Sequence, residues 1–63
     1  MTSGMDLKVE RIRAGINQAD LAARIGVTRP TLSRWESMAR VPAPKAERYL
    51  TAVREVSGVG DFS

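Results

Sequence analysis

The feature that most restricts the fold of this chain is a very short connection between two predicted helices. Asn17 is a good N-cap for a helix over 18–25, and Gly26 can adopt the left-handed conformation that ends it. Thr28 is the next N-cap, so a second helix over 29–37 begins after a turn of about three residues. Helices joined so closely cannot lie antiparallel along their length, and we expect them to cross at about 90–120°.

The apolar residues of these two helices agree with that crossing. Ala22 falls where the two backbones approach most closely, which requires a small side chain. The expected shared core consists of Leu21, Ile25, Leu32 and Trp35.

Two further helices flank this pair. Residues 5–14 are all tolerable helix formers, and Gly15 follows as a stop. The segment 41–44 contains two prolines that force an extended break, after which Pro44 can open a fourth helix. The inward faces predicted for these helices are Leu7, Arg11 and Ala14 in the first, and Ala46, Tyr49, Leu50 and Val53 in the fourth.

The whole chain of 63 residues is expected to form one compact all-α domain, because it shows no strand signal and no repeat. Residues 1–4 resemble a disordered leader. Residues 57–63 are expected to form a short tail, since Gly58 and Gly60 disfavour further helix.

Charge is concentrated in the middle of the chain. The formal net charge is +3, yet the segment from Arg24 to Lys45 contains a single acidic residue, Glu36. Its basic residues are Arg24, Arg29, Arg34, Arg40 and Lys45. Such a segment is typical of a nucleic-acid binder, although charge alone is equally consistent with a solvated basic surface.

The second helix of the central pair separates its residues by chemistry. At about 100° per residue, Thr28, Leu32 and Trp35 group on one side. The opposite arc consists of Arg29, Pro30, Ser33, Arg34 and Ser37. Arginine is the residue best suited to bind guanine O6 and N7 together, so this arc favours reading of the DNA major groove over an ordinary surface.

Other classes of protein are disfavoured. The chain has no cysteine and no histidine, and its carboxylates are scattered, so we expect neither an enzyme nor a metal, cofactor or small-molecule site. No apolar run reaches the length of a membrane span and no secretory signal is evident, which indicates a cytoplasmic protein.

One family resemblance covers residues 7–53. The run QADLAARIGVT over 18–28, followed by LSRWE over 32–36 and by Pro42, closely resembles the Cro/CI-type helix-turn-helix family of phage repressors and their bacterial relatives. The resemblance implies a lambda-repressor-like domain of four or five short helices, with the third helix reading the major groove.

The resemblance also implies roles for individual residues. Arg29, Pro30 and Arg34 match base-contacting positions, with Ser33 beside them; Pro30 either touches a thymine methyl group or sets the start of the helix. The implied phosphate contacts are Gln18, Thr28, Ser37 and Arg40, with Lys45 and Arg13 as weaker candidates. Arg11 and Glu36 match a structural ion pair of the family.

The chain departs from the family at two places. The family usually has glycine where this chain has Met38, so the third helix either runs longer or is followed by a different loop. Members often have a fifth helix that helps to form the dimer, whereas here only 57–63 remain; Phe62 either packs onto the core or meets a partner chain.

The function expected from these features is sequence-specific binding of double-stranded DNA. The most direct role is that of a Cro-like phage or prophage repressor, or an autoregulatory repressor, that occupies a palindromic operator as a homodimer. The alternative is an antitoxin or another protein-interaction module with the same fold, against which the short segment after Val56 argues.

Overall fold

A computed structural model describes residues 2–57 and shows four α-helices there, without a strand. They are α1 (Gly4–Arg13), α2 (Gln18–Ile25), α3 (Arg29–Ser37) and α4 (Ala43–Ser57). Helices α1 and α2 each contact both α3 and α4. The all-α architecture expected from the sequence is confirmed. None of the helices in this part of the chain is long and apolar enough to cross a bilayer.

Local capping explains where α2 and α3 begin and end. Asn17 Oδ1 accepts a hydrogen bond of 2.8 Å from the amide of Asp20, and Thr28 Oγ1 accepts one of 3.3 Å from the amide of Thr31. Gly26 ends α2 with a φ of 94°, a conformation in which a Cβ would be strained. The bounds of both helices agree with the sequence prediction because these signals are local.

The core lies between all four helices. Tyr49, Leu7, Leu21 and Leu32 are its largest fully buried side chains. Ala22 is buried as predicted, and Ile25 is partly buried against the same cluster. From α4, Arg48 Nη2 also donates a hydrogen bond of 3.2 Å to the carbonyl oxygen of Ile25, at the C-terminal end of α2.

The expectation of a disordered leader is wrong for residues 2–4. Ser3 caps α1 in a reciprocal capping box with Asp6, and Gly4 is a buried residue of the helix. The amide of Gly4 donates a 2.7 Å hydrogen bond to the carbonyl oxygen of Met38, and the amide of Val41 donates a 2.8 Å bond to that of Thr2. The start of the chain is therefore held by the α3–α4 loop, a partner distant in sequence.

The loop after α3 differs from the glycine-closed form of the family. Met38 has φ −73° and ψ 137°, an extended conformation without strain, so α3 ends at Ser37 and does not run longer. At the other end of the chain, Ser57 belongs to α4 and not to the predicted tail. The remainder of that tail, 58–63 with Phe62, lies outside the described residues.

Candidate nucleic-acid interface

Helix α3 has one buried face and one exposed face. Leu32 and Trp35 are buried in the core, at 0% and 4% exposure. The residues of the opposite face are all exposed: Arg29, Pro30, Ser33, Arg34 and Ser37. The five residues predicted to form one outer arc therefore do share a single solvent-facing surface, here called the α3 arc.

The buried face of α3 is also held by cations from α4. Lys45 Nζ and the guanidinium carbon of Arg48 each lie 5.9 Å from the centroid of the Trp35 ring. The ammonium group of Lys45, one of the residues predicted to contact phosphate, therefore already lies over this ring. Arg40, the other basic residue near this end of α3, is exposed in the α3–α4 loop.

Gln18 connects the α3 arc to the interior. Its Oε1 accepts a hydrogen bond of 3.4 Å from Arg29 Nε, and its Nε2 donates one of 2.9 Å to Glu36 Oε1. Gln18 is the first residue of α2 and is partly buried. One N–H of its side-chain amide is left for a ligand.

The ion pair implied for Arg11 and Glu36 is present and buried. Arg11 Nε lies 2.8 Å from Glu36 Oε2, with the two side chains 11% and 4% exposed. Arg11 Nη1 also donates a hydrogen bond of 2.9 Å to the carbonyl oxygen of Ile16, and the Tyr49 hydroxyl donates to Glu36 Oε2. Within residues 2–57, no buried side-chain nitrogen or oxygen atom lacks a partner.

The hydrogen bonds around Glu36 determine the protonation states of Glu36 and Tyr49. Burial by itself raises the pKa of Glu36, but hydrogen bonds from Arg11, Tyr49 and Gln18 outweigh it and leave that pKa below its usual value. Burial and the neighbouring Glu36 carboxylate raise the pKa of Tyr49. At neutral pH Glu36 is therefore ionised and Tyr49 remains a neutral hydrogen-bond donor.

Two hydroxyl groups expected to contact phosphate are already engaged within the protein. Ser37 Oγ donates a hydrogen bond of 3.1 Å to the carbonyl oxygen of Ser33, and Thr28 Oγ1 donates one of 2.9 Å to Thr31 Oγ1. The hydroxyl of Ser33 makes no hydrogen bond with the residues that the structure describes. Ser33 is thus the better prepared donor on this surface.

Sequence reasoning missed the polar role of Tyr49. It was assigned only to the apolar stripe of α4, whereas its hydroxyl completes the environment of Glu36. The available signal was the residue type, because a tyrosine at a buried position usually needs a partner for its hydroxyl.

One more basic residue predicted to contact phosphate has an acidic partner on its own helix. Arg13, the weaker phosphate candidate on α1, lies 3.7 Å from a carboxylate oxygen of Glu10. No group of residues suited to hold a metal ion occurs in the described part of the chain.

The structure combines a capped helix, a glycine turn and a second helix with a polar exposed face and an apolar buried face. This combination defines the helix-turn-helix class of DNA-binding proteins. A family model described as helix-turn-helix matches residues 7–51, and the chain belongs to this family, in its Cro/CI-type branch. It is accordingly a DNA-binding transcription regulator. No match was found among curated proteins or among solved structures.

Proposed function

We propose that this protein is a sequence-specific repressor that inserts α3 into the DNA major groove and blocks transcription by occupying a promoter. The observation that carries the proposal is the α3 arc: two exposed arginines, Arg29 and Arg34, stand on a helix whose other face is anchored by Leu32 and Trp35. An α-helix with its side chains is about 10–12 Å wide and fits a major groove of about 12 Å.

The two arginines are prepared for base reading in different ways. Arg34 is exposed and forms no ion pair with any described residue, so its guanidinium can bind guanine O6 and N7 together. Arg29 is oriented through its Nε by Gln18 and keeps its terminal nitrogens for a base. Ser33 and Pro30 lie on the same arc, and Pro30 also favours the start of α3.

Phosphate contacts would place α3 in the groove. Gln18 is favoured among the candidates, because its free N–H stands at the N-terminus of α2 where unpaired backbone amides attract anions. Arg40 is exposed and free of ion pairs within residues 2–57. Thr28, Ser37 and Lys45 would each have to exchange an internal contact for a phosphate.

Repression by occupancy is the simplest regulation that a DNA-binding domain supports, because it needs only tight and specific binding. We place the protein in the cytoplasm of a prokaryote or an infected host, as a phage, prophage or autoregulatory repressor. Binding of two copies to a palindromic operator would double the number of bases read and so supply the specificity that one short helix lacks.

The experiment that tests the proposal is selection of binding sites from a random duplex library at moderate salt. A palindrome with half-site centres about one helical turn, roughly 10 bp, apart supports a dimeric repressor. A single short site supports a monomeric reader. The control is the Arg29→Ala/Arg34→Ala variant, which should keep its helical circular dichroism and lose the enrichment. Absence of enrichment by the wild type would overturn DNA reading and favour the protein-interaction alternative.

A further inference from the structure

A groove of ≈ 440 Å³ runs between the N-terminal half of α1 and the C-terminal half of α3. Ser33 and Ser37 of the α3 arc form one wall, Lys8 of α1 stands on the other, and Gln18 and Glu36 also line it. The groove therefore continues the α3 arc onto α1, a helix to which sequence reasoning assigned only the ion pair of Arg11 and the weaker candidate Arg13.

We propose that Lys8 binds a phosphate of the DNA backbone at this groove, an inference that rests on the proposed binding of α3 in the major groove. Since the width of α3 nearly fills that groove, the two sugar-phosphate strands must pass along its flanks. The groove between α1 and α3 is one of these flanks. A cation on its outer wall would meet the strand that borders the bases read by Arg34 and Ser33.

The charge of Lys8 is available for such a contact. Its side chain is exposed and forms no ion pair with any residue between 2 and 57. The basic residues with carboxylate partners are Arg11, Arg13 and Arg24. The one acidic residue that lines the groove, Glu36, is already bound by Arg11, Tyr49 and Gln18, so it does not hold the ammonium group of Lys8.

The other two described grooves are lined by carboxylates as well as by cations. The groove between α2 and α4 is lined by Arg24 and Arg48 but also by Glu47 and Glu55. The groove between α1 and α4 places Arg54 beside two acidic residues, Asp6 and Glu10. Among the three, only the groove at Lys8 combines an unpaired cation and a free hydroxyl, that of Ser33, with a lining whose one carboxylate, Glu36, is already engaged, and this combination suits a phosphate.

The test measures the salt dependence of binding to the selected duplex by fluorescence anisotropy. The proteins are the wild type, Lys8→Gln, Lys8→Arg and the control Arg54→Gln, which removes the same charge from α4, at the groove between α1 and α4. Each neutralised phosphate contributes a slope of about −0.9 to log K against log salt. We expect Lys8→Gln to make the slope shallower by about 0.9, while Lys8→Arg and Arg54→Gln keep the wild-type slope.

A phosphate contact carries no base information, so Lys8→Gln should weaken binding by the same factor on the selected duplex and on a scrambled one. An unchanged slope for Lys8→Gln, with intact binding by the wild type, would overturn the role of Lys8 and leave the proposed function standing. An equal change of slope in Arg54→Gln would also overturn it, because the effect would then be one of general charge. Failure of the wild type to bind any duplex would instead overturn the proposed function.

Discussion

The side-chain amide nitrogen of Gln18 lies 2.9 Å from Oε1 of Glu36, and this hydrogen bond joins a residue of the proposed DNA-binding surface to the buried ion pair. Glu36 is held in turn by Arg11 from α1 and by Tyr49 from α4. The Glu36 carboxylate of α3 therefore accepts hydrogen bonds from the other three helices described. The position of α3 and the orientation of Gln18 depend on the same group.

The buried and the exposed ion pairs should contribute very differently to stability. A domain of this length has a free energy of unfolding of about 3–9 kcal/mol. Glu36→Gln leaves the guanidinium of Arg11 buried without a counter-charge, and we expect a loss of about 3 kcal/mol or more. Arg24→Gln breaks a pair whose side chains are 54% and 50% exposed, and should cost less than about 1 kcal/mol. Urea unfolding followed by the fluorescence of Trp35, the single tryptophan, measures both.

The Arg11→Met/Glu36→Gln variant distinguishes the stability lost with the ion pair from the cost of leaving one charge buried without its partner. It removes both charges while glutamine can still accept from Tyr49 and Gln18, so its loss of stability should be smaller than the sum of the two single losses. Additive losses would show that Arg11 and Glu36 do not act as a pair.

Acid should weaken the fold through Glu36. Because the pKa of Glu36 in the folded protein lies below its ordinary value of 4.5, its contribution is complete above that value and is lost as pH falls through the lower folded value. As the pH falls below about 4.5, the urea concentration at the midpoint of unfolding should therefore decrease more steeply for the wild type than for Arg11→Met/Glu36→Gln. Parallel pH profiles of the two proteins would contradict this assignment.

Gly4→Ala should destabilise the protein. Alanine in a helix is normally better than glycine by about 0.5–1 kcal/mol. At Gly4, however, a Cβ would overlap the backbone carbonyl groups of Trp35 and Glu36, and backbone cannot move aside as a flexible side chain can. We expect a loss of about 1–3 kcal/mol in thermal or urea unfolding, as for an overpacked core. A gain in stability would show that α1 does not approach α3 this closely.

Arg34→Ala and Arg29→Ala should each relax the sequence preference at one base pair. The expected cost on the preferred duplex is about 1–3 kcal/mol per substitution, because a bidentate contact to guanine is lost. Binding measured against a set of single-base variants of the site reveals which position loses discrimination. The matched control is Arg54→Ala, which removes the same charge from α4 beside Asp6 and Glu10. A uniform loss on all duplexes would make the arginine a phosphate contact.

Local signals were sufficient to predict the central part of the fold. Asn17, Gly26 and Thr28 determine the bounds of α2 and α3 through contacts within a few residues, so the helices and the turn follow from sequence spacing. The exposed face of α3 follows as well, since a helix of this length with Leu32 and Trp35 on one side must turn its arginines to the other.

Contacts between residues far apart in sequence could not be predicted from such local signals. Gly4 was assigned to a disordered leader because its partner, the carbonyl oxygen of Met38, lies far along the chain. Lys45 was predicted from the family resemblance to contact phosphate, and the sequence could not show that the packing of α4 puts its ammonium group over Trp35. Charge patterns report which residues are present in a segment but not which neighbours each one finds.

The amino-acid sequence by itself determined the four helices, the glycine turn at Gly26 and the polar arc of α3, because caps, turns and helical periodicity act over a few residues. Only the tertiary structure decided that Tyr49 and Gln18 meet at Glu36, that Gly4 lets α1 touch the end of α3, and that Lys8 stands beside the arc. These arrangements depend on the angles and distances between packed helices, which only the assembly of the whole core defines.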